Sequence, residues 1–183
     1  MKKAIGGSKN TSSPAILYCP EGRISSPVKK REGQDVVDLT TYIPYLLSSV
    51  NNVLSRGASQ FYLEKFGIGI VEWRVISMLA IEPGIPAARI CEVIGIDKAA
   101  ASRALNQLQK LGYLVFKASK TDSRRKAWCL NTKGYKLHDR ILEVALGREE
   151  KLIQDVSPED LEIFLRVMRQ MRQNVIKISS QNE

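Results

Sequence analysis

Apolar positions divide the chain into segments with different periods. Residues 1–36 are rich in Ser, Gly, Pro and Lys and keep no sustained period, which predicts a flexible basic arm. From Asp38 a helical period sets in. Leu39, Ile43, Leu46, Val50, Val53 and Phe61 share one face, predicting a helix to about Lys65 that ends at Gly67. A second helix is expected from about Val71 to Leu79, stopped by Glu82-Pro83-Gly84. Two shorter helices follow across a tight turn. Ile85-Pro86-Ala87-Ala88 opens the first, with Pro86 near its first turn, Ile90, Val93 and Ile94 as its apolar positions and Gly95 as its end. Asp97 is a natural cap for the second, Lys98 to Leu111. Leu114-Val115-Phe116 and Ala127-Trp128-Cys129-Leu130 read as strands joined by a polar loop. Asn131 caps a further helix to about Ile153, and Ser157-Pro158-Glu159-Asp160 has the form of a capping box that starts the last one.

That last helix carries Leu161, Phe164, Met168, Met171, Val175 and Ile178 at spacings of 3, 4, 3, 4 and 3, the seam of a coiled coil. Such a seam either packs on its own domain or meets another chain. It outlasts what a small domain needs, so Leu161, Phe164, Met168, Met171 and Val175 are expected at a dimer interface.

Charge sharpens this picture. The chain of 183 residues carries a formal net charge of +9, which points to a polyanionic partner. Its distribution matters more than its size. Residues 1–36 are net +4, 37–85 net −1, 86–126 net +6 and 127–183 neutral. Function is therefore sought in the middle segment. There is no apolar run of membrane-spanning length, and the basic N-terminus lacks the apolar core of a secretory signal, so a cytoplasmic protein is expected. The 3 cysteines, Cys19, Cys91 and Cys129, are too scattered for a disulfide framework or a metal site. No metal or cofactor is expected.

Helix, glycine-containing turn, helix, then strand, loop and strand is the layout of a winged helix-turn-helix. The expected class is mainly α with a small β-wing, flanked by N- and C-terminal dimerisation helices. The helix from Lys98 offers small and polar groups to a major groove: Lys98, Ala100, Ala101, Ser102, Arg103, Asn106 and Gln107. Arg can donate two bonds to guanine, Asn or Gln can pair with adenine, and alanine can meet a thymine methyl. Leu105, Leu108 and Leu111 would hold the helix on the core. The loop from Lys117 to Lys126 has five basic residues and one acidic, Asp122. Lys120, Arg124 and Arg125 suit phosphates and the negative minor groove. Asp122 fits there if its carboxylate holds Arg124 in a bidentate pair.

Glu72-Trp73-Arg74-Val75-Ile76, Ser102-Arg103-Ala104-Leu105 and Leu108-x-x-Leu111-Gly112-Tyr113-Leu114 resemble the MarR family of bacterial transcription regulators. Asp122-x-Arg124-Arg125 followed by Leu130-Asn131-x-x-Gly134 is similar to its wing signature. Asn131 stands where Thr or Ser is usual, and Ser123 where Arg is common. The resemblance covers roughly residues 38–178. It implies a homodimer on a pseudo-palindromic operator in double-stranded DNA, with a winged helix at about 68–131 inside the 37–183 domain. The dimerisation helices would be about 38–66 and 132–178. It also implies a small effector, often aromatic, between these parts.

Tyr42, Tyr45, Ser49, Asn52, Arg56, Trp73 and Arg74 are the candidates for such a pocket, with Arg56 and Arg74 as anchors for a carboxylate or a coenzyme A thioester. His138, the one histidine, is expected on a helix surface, and Cys91 is expected to be buried. The sequence lacks GxSxG, HExxH, P-loop and GxGxxG motifs, so an enzyme is not expected. The expected function is a DNA-binding repressor released by a small aromatic acid or its thioester. The alternatives are cysteine-based redox sensing and a winged-helix module for protein or RNA.

Arg124→Ala is expected to weaken binding to a cognate duplex by about 1–3 kcal/mol. Asp122→Ala should weaken it too, although it removes a negative charge. Tighter binding by Asp122→Ala in a gel-shift titration would make the carboxylate a repulsive surface charge and remove the pairing.

Overall fold

In the computed structural model the described residues are 22–118 and 126–181. The chain divides into two compact units, residues 1–60 and 61–183. The first holds a hairpin, β1 (Val28–Arg31) and β2 (Gln34–Val37), and most of helix α1 (Ile43–Phe66). The second holds the end of α1 and then α2 (Ile70–Ile81), α3 (Ala87–Ile94) and α4 (Lys98–Lys110). It continues with the antiparallel pair β3 (Leu114–Ala118) and β4 (Lys126–Leu130), then α5 (Thr132–Leu152) and α6 (Pro158–Gln181). This is the mainly α fold with a small β-wing that the sequence predicts. Among the described residues no helix is long and apolar enough to cross a membrane.

The expectation of a featureless arm to residue 36 is corrected at residues 28–37. β1 and β2 pair in register from Val28 opposite Val37 to Arg31 opposite Gln34. Glu32 and Gly33 form the two-residue turn, both at positive φ (52° and 82°), the backbone twist that a tight hairpin requires. Cross-strand charge stands in for burial here, with Lys30 Nζ 2.7 Å from Asp35. Asp38 starts a turn rather than the helix. Its carboxylate accepts from the Thr40 amide and hydroxyl at 3.0 and 2.7 Å, which holds its pKa below the ordinary carboxylate value. The helix itself begins at Ile43.

The core of the second unit is formed by Val75, Ile76, Met78 and Leu79 of α2, Ile90 of α3, and Leu105 and Leu108 of α4. Leu137 and Ile141 of α5 complete it, together with Leu114, Trp128 and Leu130 from the strands. Ile85 does not open a helix. It bridges to Trp128, whose amide donates to the Ile85 carbonyl at 2.9 Å while the Gly84 amide donates to the Trp128 carbonyl at 2.8 Å. The base of the wing is thereby stitched to the turn after α2, and Pro86 becomes the cap of α3.

Tyr113, Asn131 and Gly134 meet where α4, the wing and α5 join. The Asn131 side chain accepts from the Gly134 amide at 2.9 Å, capping α5 as expected, and its amide group also donates to the Gly112 carbonyl at 3.0 Å. A Cβ at Gly134 would lie 2.4 Å from the Tyr113 carbonyl oxygen and 3.2 Å from a Leu130 methyl. Gly134→Ala should therefore destabilise the fold by about 3 kcal/mol, since backbone on one side and core on the other cannot yield. A melting temperature equal to wild type would show that the junction gives way easily.

Candidate nucleic-acid interface

The α3–α4 corner has local causes. Gly95 ends α3 in the left-handed region at φ 67°, where its amide donates to the Cys91 carbonyl at 2.9 Å. Two residues later the Asp97 carboxylate accepts from the Ala100 amide at 2.7 Å and starts α4. At the far end, the Lys133 Nζ donates to the Leu111 carbonyl at 3.0 Å and sits over the Tyr113 ring, 4.8 Å from its centre. The helix is thus fixed at both ends.

Between these anchors, burial assigns the two faces. Ala101, Ala104, Leu105 and Leu108 are buried, while Lys98, Ala99, Ser102, Arg103, Asn106, Gln107, Gln109 and Lys110 are exposed. Five of the seven expected α4 contacts are therefore exposed. Ala100 is half-buried, and Ala101 is corrected: at 0% exposure it packs inward and cannot touch a base. Its place on the outer face is taken by Ala99. Lys110 was also missed, although it lies seven residues beyond Arg103 and continues the same face.

Arg89 of α3 is engaged by two carboxylates. Its Nε and one terminal nitrogen donate to the two Glu82 carboxylate oxygens at 3.1 and 3.0 Å, and the other terminal nitrogen donates to Glu92 at 3.0 Å. The guanidinium holds the Glu82 carboxyl below its ordinary pKa, and the two carboxylates raise that of Arg89. The fork braces α3 against the end of α2.

At the wing, Lys117 and Lys126 are exposed on adjacent strands. Lys126 Nζ lies over the Phe116 ring at 4.3 Å, and that ring meets Trp128 edge-on with centres 5.4 Å apart. Lys120, Asp122, Arg124 and Arg125 lie outside the described residues.

The seven candidate effector contacts are split between the units. Tyr42, Tyr45, Ser49, Asn52 and Arg56 lie in the first; Tyr42 and Tyr45 are exposed, and the Ser49 hydroxyl donates to the Leu46 carbonyl of its own helix at 3.1 Å. Trp73 and Arg74 lie half-buried in the second. Trp73 packs on Tyr62 and on His138, the latter with ring centres 5.6 Å apart. His138 is thus half-buried rather than on the surface, and Cys91 is half-buried rather than buried. Sequence reading missed a cleft of about 360 Å³ lined by Lys65, Phe66, Arg140, Glu143 and Val144. There Lys65 Nζ and the Arg140 guanidinium both stand over the Phe66 ring, at 5.6 and 5.4 Å.

On α6, Leu161, Met168 and Met171 are half-buried, whereas Phe164 and Val175 remain 54% and 59% exposed in the single chain.

This arrangement defines a winged helix-turn-helix protein, with α3 and α4 as the paired helices and β3–β4 as the base of the wing. Residues 66–125 match the model of the MarR family. A MarR/EmrR family transcriptional regulator from Acinetobacter sp. ADP1 is 26% identical and superposes with a TM-score of 0.72, over 77% of this chain and 99% of that one. The MepR–DNA complex of S. aureus gives 0.59 at 22% identity, covering 76% and 96%. Wild-type MarR of E. coli gives 0.60 at 18% identity, covering 70% and 96%. The likeness first seen in the sequence motifs is found again in both comparisons: residues 66–125 are similar to the MarR family, and the fold is that of its winged-helix structures.

The phase of α4 is open to a direct test. Ala99→Glu should keep the wild-type melting temperature, because an acid in the first turn suits the helix, yet weaken duplex binding at least about tenfold by like-charge repulsion with phosphate. Ala101→Glu should instead lose the fold. The reverse pattern in thermal melts and gel shifts would restore the original phase.

Proposed function

We propose that the protein acts as a homodimeric repressor on a pseudo-palindromic operator, each chain placing α4 in the major groove of one half-site. The observation that carries this reading is the two-faced α4, with four residues buried and Ser102, Arg103, Asn106 and Gln107 presented together. Bidentate pairing of Arg103 with guanine and of Asn106 or Gln107 with adenine would supply the sequence preference. The wing residues Lys120, Arg124 and Arg125, with Asp122 orienting Arg124, would add contacts outside the groove. The MepR–DNA complex supports a duplex rather than RNA as the partner. A regulator of this kind would work in the cytoplasm.

Dimerisation is supported by the apolar surface left on one chain. Phe164, Val175 and Ile178 on α6, with Val50 and Val53 on α1, are each at least half exposed. Helices at about 38–66 and 132–178 would carry the interface, and a winged helix at about 68–131 would carry the DNA contacts.

The effector would be a small aromatic acid or its coenzyme A thioester. The cleft around Phe66 supports this, since an aromatic ring could stack there while its carboxylate meets Lys65 or Arg140. Such a ligand releases DNA only by favouring the incompetent spacing of the two α4 helices. Calorimetry with benzoate- and hydroxycinnamate-type acids and their thioesters tests it. Binding should weaken when the duplex is present, by the same factor by which the ligand weakens the duplex, a coupling of about 1–3 kcal/mol. Equal affinity in both titrations would end the effector reading. In light scattering, Phe164→Asp combined with Met168→Asp should yield a monomer that has lost tight operator binding. A dimer with wild-type affinity would take α6 out of the interface.

A further inference from the structure

The last carbonyls of an α-helix have no partner within it, and a cation beside them is favourable. In α3 the Cys91 carbonyl is taken by Gly95, and the Val93 carbonyl is taken by a residue from the other end of the sequence. The Arg172 guanidinium of α6 donates to it at 3.2 Å. Arg172 follows Met171 in the chain and lies one helical turn beyond Met168, so it stands on the flank of the α6 seam. One side chain therefore joins the helix that carries the seam to the helix that precedes α4. Only Gly95, Ile96 and Asp97 separate α3 from α4, and the two helices pack on each other. Whatever positions α3 positions α4. The far end of α4 is held separately, by Asn131 and Lys133 at the start of α5.

We infer that Arg172 is a positioning residue that ties α3 to α6 and so sets the distance between the two α4 helices of a dimer. In this role it need touch no base and no phosphate. Its contribution lies in spacing, because half-sites are read together only when two recognition helices stand about one DNA turn apart. Without the tether each α3–α4 pair would still read its half-site, but the pair of heads would tolerate a wrong interval. This inference rests on the two-half-site reading above.

The probe is the duplex that the full-length wild-type chain selects from a random-sequence pool, made in three forms: intact, with one base pair inserted between half-sites, and as a single half-site. Wild type should bind the intact form at least about tenfold more tightly than the inserted form. Arg172→Gln should remain a dimer by light scattering, melt with wild type and bind the single half-site unchanged. Its preference for the intact form should fall by about threefold to tenfold, the range for losing one charge-assisted hydrogen bond at a partly exposed site. Arg172→Lys should recover part of the preference, since an ammonium can still donate to the Val93 carbonyl. Wild-type discrimination by Arg172→Gln would overturn the tether and leave the two-half-site reading intact. An equal loss on all three duplexes would reduce Arg172 to a stabiliser of α3. A wild-type chain indifferent to the insertion would overturn the two-half-site reading, and the tether with it.

Discussion

Where α4, the wing and α5 meet, the backbone at Gly134 lies so near the Tyr113 carbonyl that a Cβ there would stand 2.4 Å from its oxygen. α4 ends beside this point, β3 leaves from it, β4 returns to it and α5 starts from it. Any side chain at residue 134 would push α5 off the wing and break the two bonds through which Asn131 couples Gly134 to Gly112. The direction of α4 and the base of the wing are consequently set together. Asn131 stands where the family that the sequence resembles usually has Thr or Ser. Its planar amide caps one helix while donating to the carbonyl that follows another, so one side chain serves both elements.

Elements with local causes were legible in the sequence. Asp97 before α4, Asn131 before α5 and Ser157 before α6 act as the caps their residue types announce; the Ser157 hydroxyl accepts from the Asp160 amide at 3.1 Å. Elements that depend on distant partners were not. The β1–β2 hairpin has few apolar residues and is held by cross-strand pairs such as Lys30 with Asp35, so no hydrophobic period announces it. The bridge between Ile85 and Trp128 depends on a residue more than forty positions away.

The exposed face of α4 was legible in kind but not in phase. Ala99, Ala100 and Ala101 are identical side chains, and a run of identical residues carries no information about which one faces the core. Arg103 and Asn106 fixed the outer face correctly because their polarity distinguishes them from Ala104 and Leu105. The cleft around Phe66 was illegible for another reason: Lys65 and Arg140 lie on different helices, and each alone is an ordinary surface cation.

The Arg89 fork also bears on the thermodynamics of any polyanion bound to this surface. The salt dependence of such binding counts only the cations that displace condensed counterions from phosphate. Arg89 already has both carboxylates of its neighbourhood as counter-charges, with Glu82 gripping it at two points. It adds to the formal charge of the basic middle segment, but while held by these carboxylates it would contribute little to counterion release from a bound polyanion. The log–log salt slope of such a complex would accordingly be smaller than a count of the segment's lysines and arginines suggests.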